Sequence, residues 1–174
     1  MSEEIINKIS QSGLVTLDLE QFFPVRPVLI FDLKPFLFMD LILKEKDFRA
    51  ALAATDWTSY QDQIVGIYCS AEAVIPVWAF MLVASYLQPI AKEVIYGDEA
   101  TVLRQVITNR IQALDPELYR DQRIVVKGCG DQPVGDFAYL EITKLLRPVA
   151  KSIMYGEPCS TVPIYKASDM KFTP

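Results

Sequence analysis

Histidine does not occur in this chain of 174 residues. Without it there is no Ser-His-Asp or Cys-His nucleophile pair, no zinc site built on imidazole, and no side chain whose ordinary pKa lies near neutrality. Cysteine is scarce, with three residues in all, and an odd count argues against a disulfide framework. Glycine numbers seven. No P-loop or G-x-G-x-x-G run occurs, and Gly128-Cys129-Gly130 falls short of a dinucleotide fingerprint, so no nucleotide cofactor is expected. Basic residues never cluster, and the net charge is −5. A nucleic-acid backbone and an anionic membrane surface are therefore not expected as partners. The longest apolar stretch, Val74 to Leu87, is short for a bilayer span and interrupted by Pro76. The opening Met1-Ser2-Glu3-Glu4 is acidic and lacks the apolar segment of a signal peptide. The expectation is a cytoplasmic protein whose thiols are reduced.

What is present is enough apolar material for a core, 51% hydrophobic against 22% charged residues, and a stretch that occurs twice. Ile64-Val65-Gly66-Ile67-Tyr68-Cys69 returns as Ile124-Val125-Val126-Lys127-Gly128-Cys129. Around it, Ala54, Asp56, Tyr60, Asp62 and Gln63 match Ala113, Asp115, Tyr119, Asp121 and Gln122 at a shift of 59. Placing cysteine on cysteine makes Arg123 an insertion and requires a compensating deletion in the following loop. After that loop, Ala79, Leu87, Pro89, Ala91, Lys92, Tyr96 and Gly97 match Ala138, Leu146, Pro148, Ala150, Lys151, Tyr155 and Gly156. So many matches at one register point to an internal duplication.

Strands are expected over Ile64–Cys69, Glu93–Tyr96, Ile124–Lys127 and Lys151–Tyr155, with shorter ones over Leu14–Leu19 and Val28–Phe31. Helices are expected over residues 2–11, 44–55, 76–88, 99–114 and 136–147. The second repeat's helix carries Glu141, Lys144 and Arg147, so one face meets water. The helix over 76–88 is apolar nearly all round and is expected to be buried. A strand, a crossover helix and a further strand make a parallel pair. The fold class is therefore α/β, with internally duplicated strand-helix-strand units forming a mostly parallel sheet with helices on both faces. A single domain over 1–174 is expected, with an N-terminal elaboration (1–53), a first repeat (54–112) and a second repeat (113–171).

In a parallel sheet the carboxyl ends of the strands share an edge, and ligands bind there. Cys69 and Cys129 end the first strand of each repeat, and Cys159 follows the last strand. Asp98, Asp131 and Glu157 belong to the same edge, and Lys127 lies two residues before Cys129. A helix N-terminus and a neighbouring lysine favour a thiolate. The candidate functional edge is therefore Cys129, Cys159, Asp131, Glu157, Cys69 and Lys127, with Cys129 and Cys159 as the candidate metal ligands, although no metal-ligand spacing is present. A plainer reading stands beside each. Cysteine is often simply a small core residue, which suits Cys69 between apolar neighbours. Lys127 is read as an edge-strand residue snorkelling to solvent, and Asp56 and Asp115 as turn caps. Phe22-Phe23 and Phe36–Met39 are read as core, with a protein-binding patch as the other reading.

The segments Gly13-Leu-Val-Thr-Leu-Asp-Leu-Glu20, Phe36-Leu-Phe-Met39, Leu43-Lys-Glu-Lys-Asp-Phe48, Val126-Lys-Gly-Cys129 and Ala150-Lys-Ser-Ile-Met-Tyr-Gly-Glu-Pro-Cys-Ser-Thr-Val-Pro-Ile-Tyr165 resemble the bacterial domain-of-unknown-function family 2480 over nearly the whole chain. That resemblance implies no established activity and no catalytic residues. It implies an association with iron–sulfur cluster assembly genes. The expected function is a cytoplasmic accessory or binding protein with a thiol-bearing sheet edge, linked to metal or cluster handling or to a protein partner. Two alternatives stay open: a thiol-dependent enzyme using Cys129 or Cys159, and a purely structural interaction module.

Overall fold

The structure, a computed structural model, describes residues 13–128, 130 and 132–168. The helix expected over 2–11 lies outside them, as do Cys129 and Asp131. In chain order the elements are β1 (Leu14–Asp18), β2 (Leu29–Asp32), the short β3 (Leu37–Phe38) and β4 (Ile42–Leu43), α1 (Glu45–Ala54), β5 (Ile64–Tyr68), α2 (Val77–Leu87), β6 (Glu93–Tyr96), α3 (Glu99–Gln112), β7 (Arg123–Lys127), α4 (Asp136–Leu146), β8 (Ser152–Glu157) and β9 (Ser160–Lys166). The protein is thus mixed α/β, and no helix among the described residues is long and apolar enough to cross a membrane.

The parallel strands divide between two sheets instead of forming one. One sheet has the order β2-β5-β6 and the other β1-β7-β8-β9; β3 and β4 make a separate antiparallel pair. Contacts group the chain in the same way, into a continuous unit, Pro24–Gln105, and a split unit, Met1–Phe23 with Val106–Pro174. All pairings within the two larger sheets are parallel except β8 with β9. β9 was not expected. It alternates weakly and carries Pro163, and such a strand is confined to a sheet edge because proline cannot donate to a ladder.

In the continuous unit, β5 is the middle strand, and Ile64, Val65, Gly66 and Ile67 are all buried, as befits a parallel strand covered on both faces. Val65 and Ile67 pack with Phe31 and Leu33, with Phe48 and Leu52 of α1, and with Ala79, Val83 and Leu87 of α2. Val102 of α3 comes to the Gly66 side, so close that a Cβ on Gly66 would stand 2.6 Å from it and 2.7 Å from Ile30. The expectation that α2 is buried all round is corrected. It buries one stripe at i, i+4 and i+8 and leaves Val77 and Met81 73% and 67% exposed. An all-apolar helix carries no sequence signal for which third of it faces the core.

The split unit's core is Leu17, Leu19, Phe22, Ile107, Ile111, Ile124, Val126, Ala138, Ile142, Leu146, Ala150 and Ile153. From Ile107 onward each member lies 59 residues after a residue of the other core: Phe48 and Ile107, Leu52 and Ile111, Val65 and Ile124, Ala79 and Ala138, and so on to Val94 and Ile153. Register agrees. Ile64 pairs with Glu93, and Arg123 with Ser152. The backbone N–H of Asp62 donates to Ile90 and that of Asp121 to Val149, and both aspartates have positive φ, 57° and 59°. Arg123 is therefore no insertion. It is level with Ile64, so Cys69 is level with Gly128, and Cys129 falls at the position of Ser70. The correspondence also runs upstream of residue 54. Leu17-Asp18-Leu19 with Phe22 and Phe31-Asp32-Leu33 with Phe36 repeat at a spacing of 14, each at the end of the strand that pairs with the middle one.

Candidate functional site

The carboxyl edge of the split unit's sheet is built from three strand ends. β1 ends in Asp18, which pairs in register with Lys127 at the end of β7. The Lys127 Nζ donates to the Asp18 carboxylate at 3.0 Å. The other Asp18 oxygen accepts from the Glu20 backbone N–H at 3.0 Å and so caps the short 3-10 turn Leu19–Phe22. The hydrogen bond to Asp18 raises the Lys127 pKa above its ordinary value, the charge of Asp18 adds to this, and the carboxylates of Glu157 and Glu20 contribute more weakly. Lys127 is accordingly a fixed cation at the end of a middle strand. It is no edge-strand residue, and its protonation is the opposite of what a general base needs.

Glu20 turns back toward the loop after β7. A Cβ at Gly130 would meet its carboxylate, the far end of a flexible side chain. The Glu20 Oε1 is buried and has no hydrogen-bond partner among the described residues. Glu157 closes β8 opposite Ser160 of β9. Cys159 does not follow the last strand as expected. It lies in the turn between β8 and β9, as an exposed free thiol.

Lys127, Glu157 and Cys159 thus come together on one edge, joined by Asp18 and Glu20. Cys69 belongs to the other sheet, where it follows β5. It is partly buried, packs against that unit's core, and has its Sγ 3.8 Å from the Ala71 carbonyl. The plain reading of Cys69 as a packed thiol fits. A single edge carrying all three cysteines does not exist, because the strands that precede Cys69 and Cys159 are in different sheets. Cys129 and Asp131 lie outside the described residues. Asp98 is accounted for as a cap. The Thr101 hydroxyl, and then the Thr101 backbone N–H at 2.9 Å, hold its pKa below the usual carboxylate value. Asp56 and Asp115 likewise accept the N–H of Thr58 at 2.9 Å and of Glu117 at 3.0 Å.

Asp18, Glu20 and the matching pair Asp32 and Ser70 escaped notice in the sequence. Asp32 is the counterpart of Asp18, but a serine serves it instead of a lysine. The Ser70 N–H and hydroxyl donate at 3.0 and 2.5 Å. Burial pushes the Asp32 carboxyl up, and the hydrogen bonds from the Ser70 hydroxyl, Lys34 N–H and Ser70 N–H outweigh it, leaving the pKa below its ordinary value. The available signal was the repeated Asp-Leu-x-x-Phe of residues 18–22 and 32–36. Among the described residues, no three Cys, Asp or Glu side chains are placed to hold a metal ion.

The family model described as "Protein of unknown function (DUF2480)" matches residues 3–167, nearly the whole chain. No curated protein and no solved structure matches it.

Proposed function

The chain belongs to the DUF2480 family, and from that premise we propose that it is a cytoplasmic accessory or binding protein that acts through the carboxyl edge of the split unit's sheet. The Cys159 thiol is the contact group, offered to a metal ion, an iron–sulfur cluster or the thiol of a protein partner. The exposure of Cys159 in the β8–β9 turn carries this reading, because a free cysteine is ordinarily among the most buried residue types. The ion pair with Asp18, which raises the Lys127 pKa on the same sheet edge, supports a binding role over a catalytic one. The test is anaerobic metal analysis of untagged protein after exposure to ferrous iron and sulfide, with Cys159→Ser and Cys129→Ser beside it. Bound iron that Cys159→Ser removes supports the proposal; the same iron content in both proteins, or none in either, refutes it.

A second reading, an interaction module, is favoured by the β3–β4 hairpin. Its tip exposes Phe38, Met39, Leu41 and Ile42 at 49–76%, and Met39 and Asp40 both have positive φ. Non-glycine residues in that region store strain that a functional turn can justify. We further infer that the two units descend from one duplicated unit. The agreement of their cores at a spacing of 59 without a gap supports this, as does the paired Asp-Leu-x-x-Phe after β1 and β2.

A further inference from the structure

At the opposite end of the split unit's sheet, a cavity of about 550 Å³ opens beside β7, β8 and β9. Three cations line it, Arg123, Lys151 and Lys166, together with the apolar Met154, Pro163 and Tyr165, and among the described residues no acid does. The register explains the arrangement. Arg123 pairs with Ser152, and Ser152 with Lys166, so the two cations stand on one face, two strands apart. That is roughly 10 Å between their backbones. One row further along the same face, Met154 pairs with Pro163. The ring of Tyr165 is held by the Arg147 guanidinium, 4.9 Å from its centroid. Cationic and apolar side chains thus share the lining.

Two comparisons set this cavity apart. Three cationic side chains line one cavity on a chain whose net charge is −5. Arg123 and Lys151 belong to no ion pair among the described residues. The position level with Arg123 in the continuous unit is Ile64, which is buried, whereas Arg123 is exposed. The three-stranded β2-β5-β6 sheet also has no fourth strand equivalent to β9. The cavity therefore belongs to what distinguishes the split unit.

We propose that this cavity binds a small amphipathic anion, an apolar tail ending in one carboxylate or phosphate head. Its size falls within the usual range for small-molecule sites, roughly 300–1,000 Å³, and the mix of apolar walls with a few convergent polar groups is what such sites require. The tail lies over Met154, Pro163 and Tyr165. The head lies between Arg123, Lys166 and Lys151, whose stems pack along the apolar wall while the charges reach the anion. This site is independent of the Cys159 edge, and either proposal stands if the other fails.

The test is calorimetric titration of the full chain with decanoate, decyl phosphate, decanol and inorganic phosphate. Saturable binding of decanoate or decyl phosphate is expected, with the tighter of the two identifying the head group. Decanol is expected to bind on the order of tenfold more weakly, and inorganic phosphate alone not to saturate. The triple variant Arg123→Gln/Lys151→Gln/Lys166→Gln is expected to lose on the order of tenfold in affinity for the anion and none for decanol. If that variant does not fold, Lys151→Gln, which alters a side chain outside the strands, is expected to show a several-fold loss. No saturable binding of either anion, decanol binding as tightly as decanoate, or variants with unchanged anion affinity would each overturn the proposal.

Discussion

Lys127 and Asp18 show how much one cross-strand pair settles. Because the folded pKa of Lys127 is raised by Asp18, the pair's contribution is whole below the ordinary lysine value of about 10.4 and is lost as pH rises through the folded value. Both side chains are about a third exposed, 32% and 41%, so the contribution is at most about 1 kcal/mol. Asp18→Asn is expected to lower stability by that amount at pH 8 and to flatten its decline above pH of about 10.4, as read from urea unfolding across pH. Equal alkaline slopes in both proteins would show the pair to be inert. Among the cysteines, Cys159 is expected to alkylate before Cys69, on the order of tenfold faster, since one is exposed and the other packs against a core. Per-site mass spectrometry reads this directly. Lys127, Cys69 and Cys129 were visible in the sequence within the repeated stretch, and Cys159 as a thiol beyond the last expected strand. Asp18 and the Asp32–Ser70 contact were not, because they are made between strands whose register the sequence does not state.

The elements divide similarly. β5, β6, β7 and β8 were legible because each is a compact, mostly apolar run, and their observed ends fall within two residues of expectation. β9 was hidden by Pro163 and its weak alternation. For α2 its existence was legible, but its buried stripe was not. Leu87→Ala, at a fully buried position, is therefore expected to cost about 2–5 kcal/mol. Met81→Ala on the same helix is expected to stay within about 0.5 kcal/mol, because Met81 is largely exposed. Equal costs in chemical denaturation would contradict that orientation. Gly66→Ala places a methyl 2.6 Å from Val102 and 2.9 Å from the Gly97 carbonyl. It is expected to cost about 1–3 kcal/mol through overpacking, although it leaves no polar group unpaired.

For the whole molecule, the two units have the same strand order through their parallel strands and cores that match residue for residue. The sequence match was legible because identical residues recur at a spacing of 59 in turns and helix ends. Its alignment was misread by one residue, since matching Cys69 to Cys129 overrode the spacing that register preserves. The division into two sheets was not legible. Alternating strands and helices look the same whether the strands join one sheet or two. The slowest-exchanging amides are expected in β5 and β7, the middle strands of the two sheets, because strands bounded on both sides open only with the cooperative unit around them. Slow exchange concentrated in β9, an edge strand, would contradict the topology. The central claim, that the Cys159 edge is where this protein meets its metal, cluster or thiol partner, is tested most directly by alkylating the full chain anaerobically, with and without prior iron and sulfide, and quantifying each cysteine by mass spectrometry. The account predicts that Cys159 labels rapidly in the untreated protein and is protected after loading, while Cys69 reacts slowly in both. Labelling of Cys159 at the same rate before and after loading would contradict it.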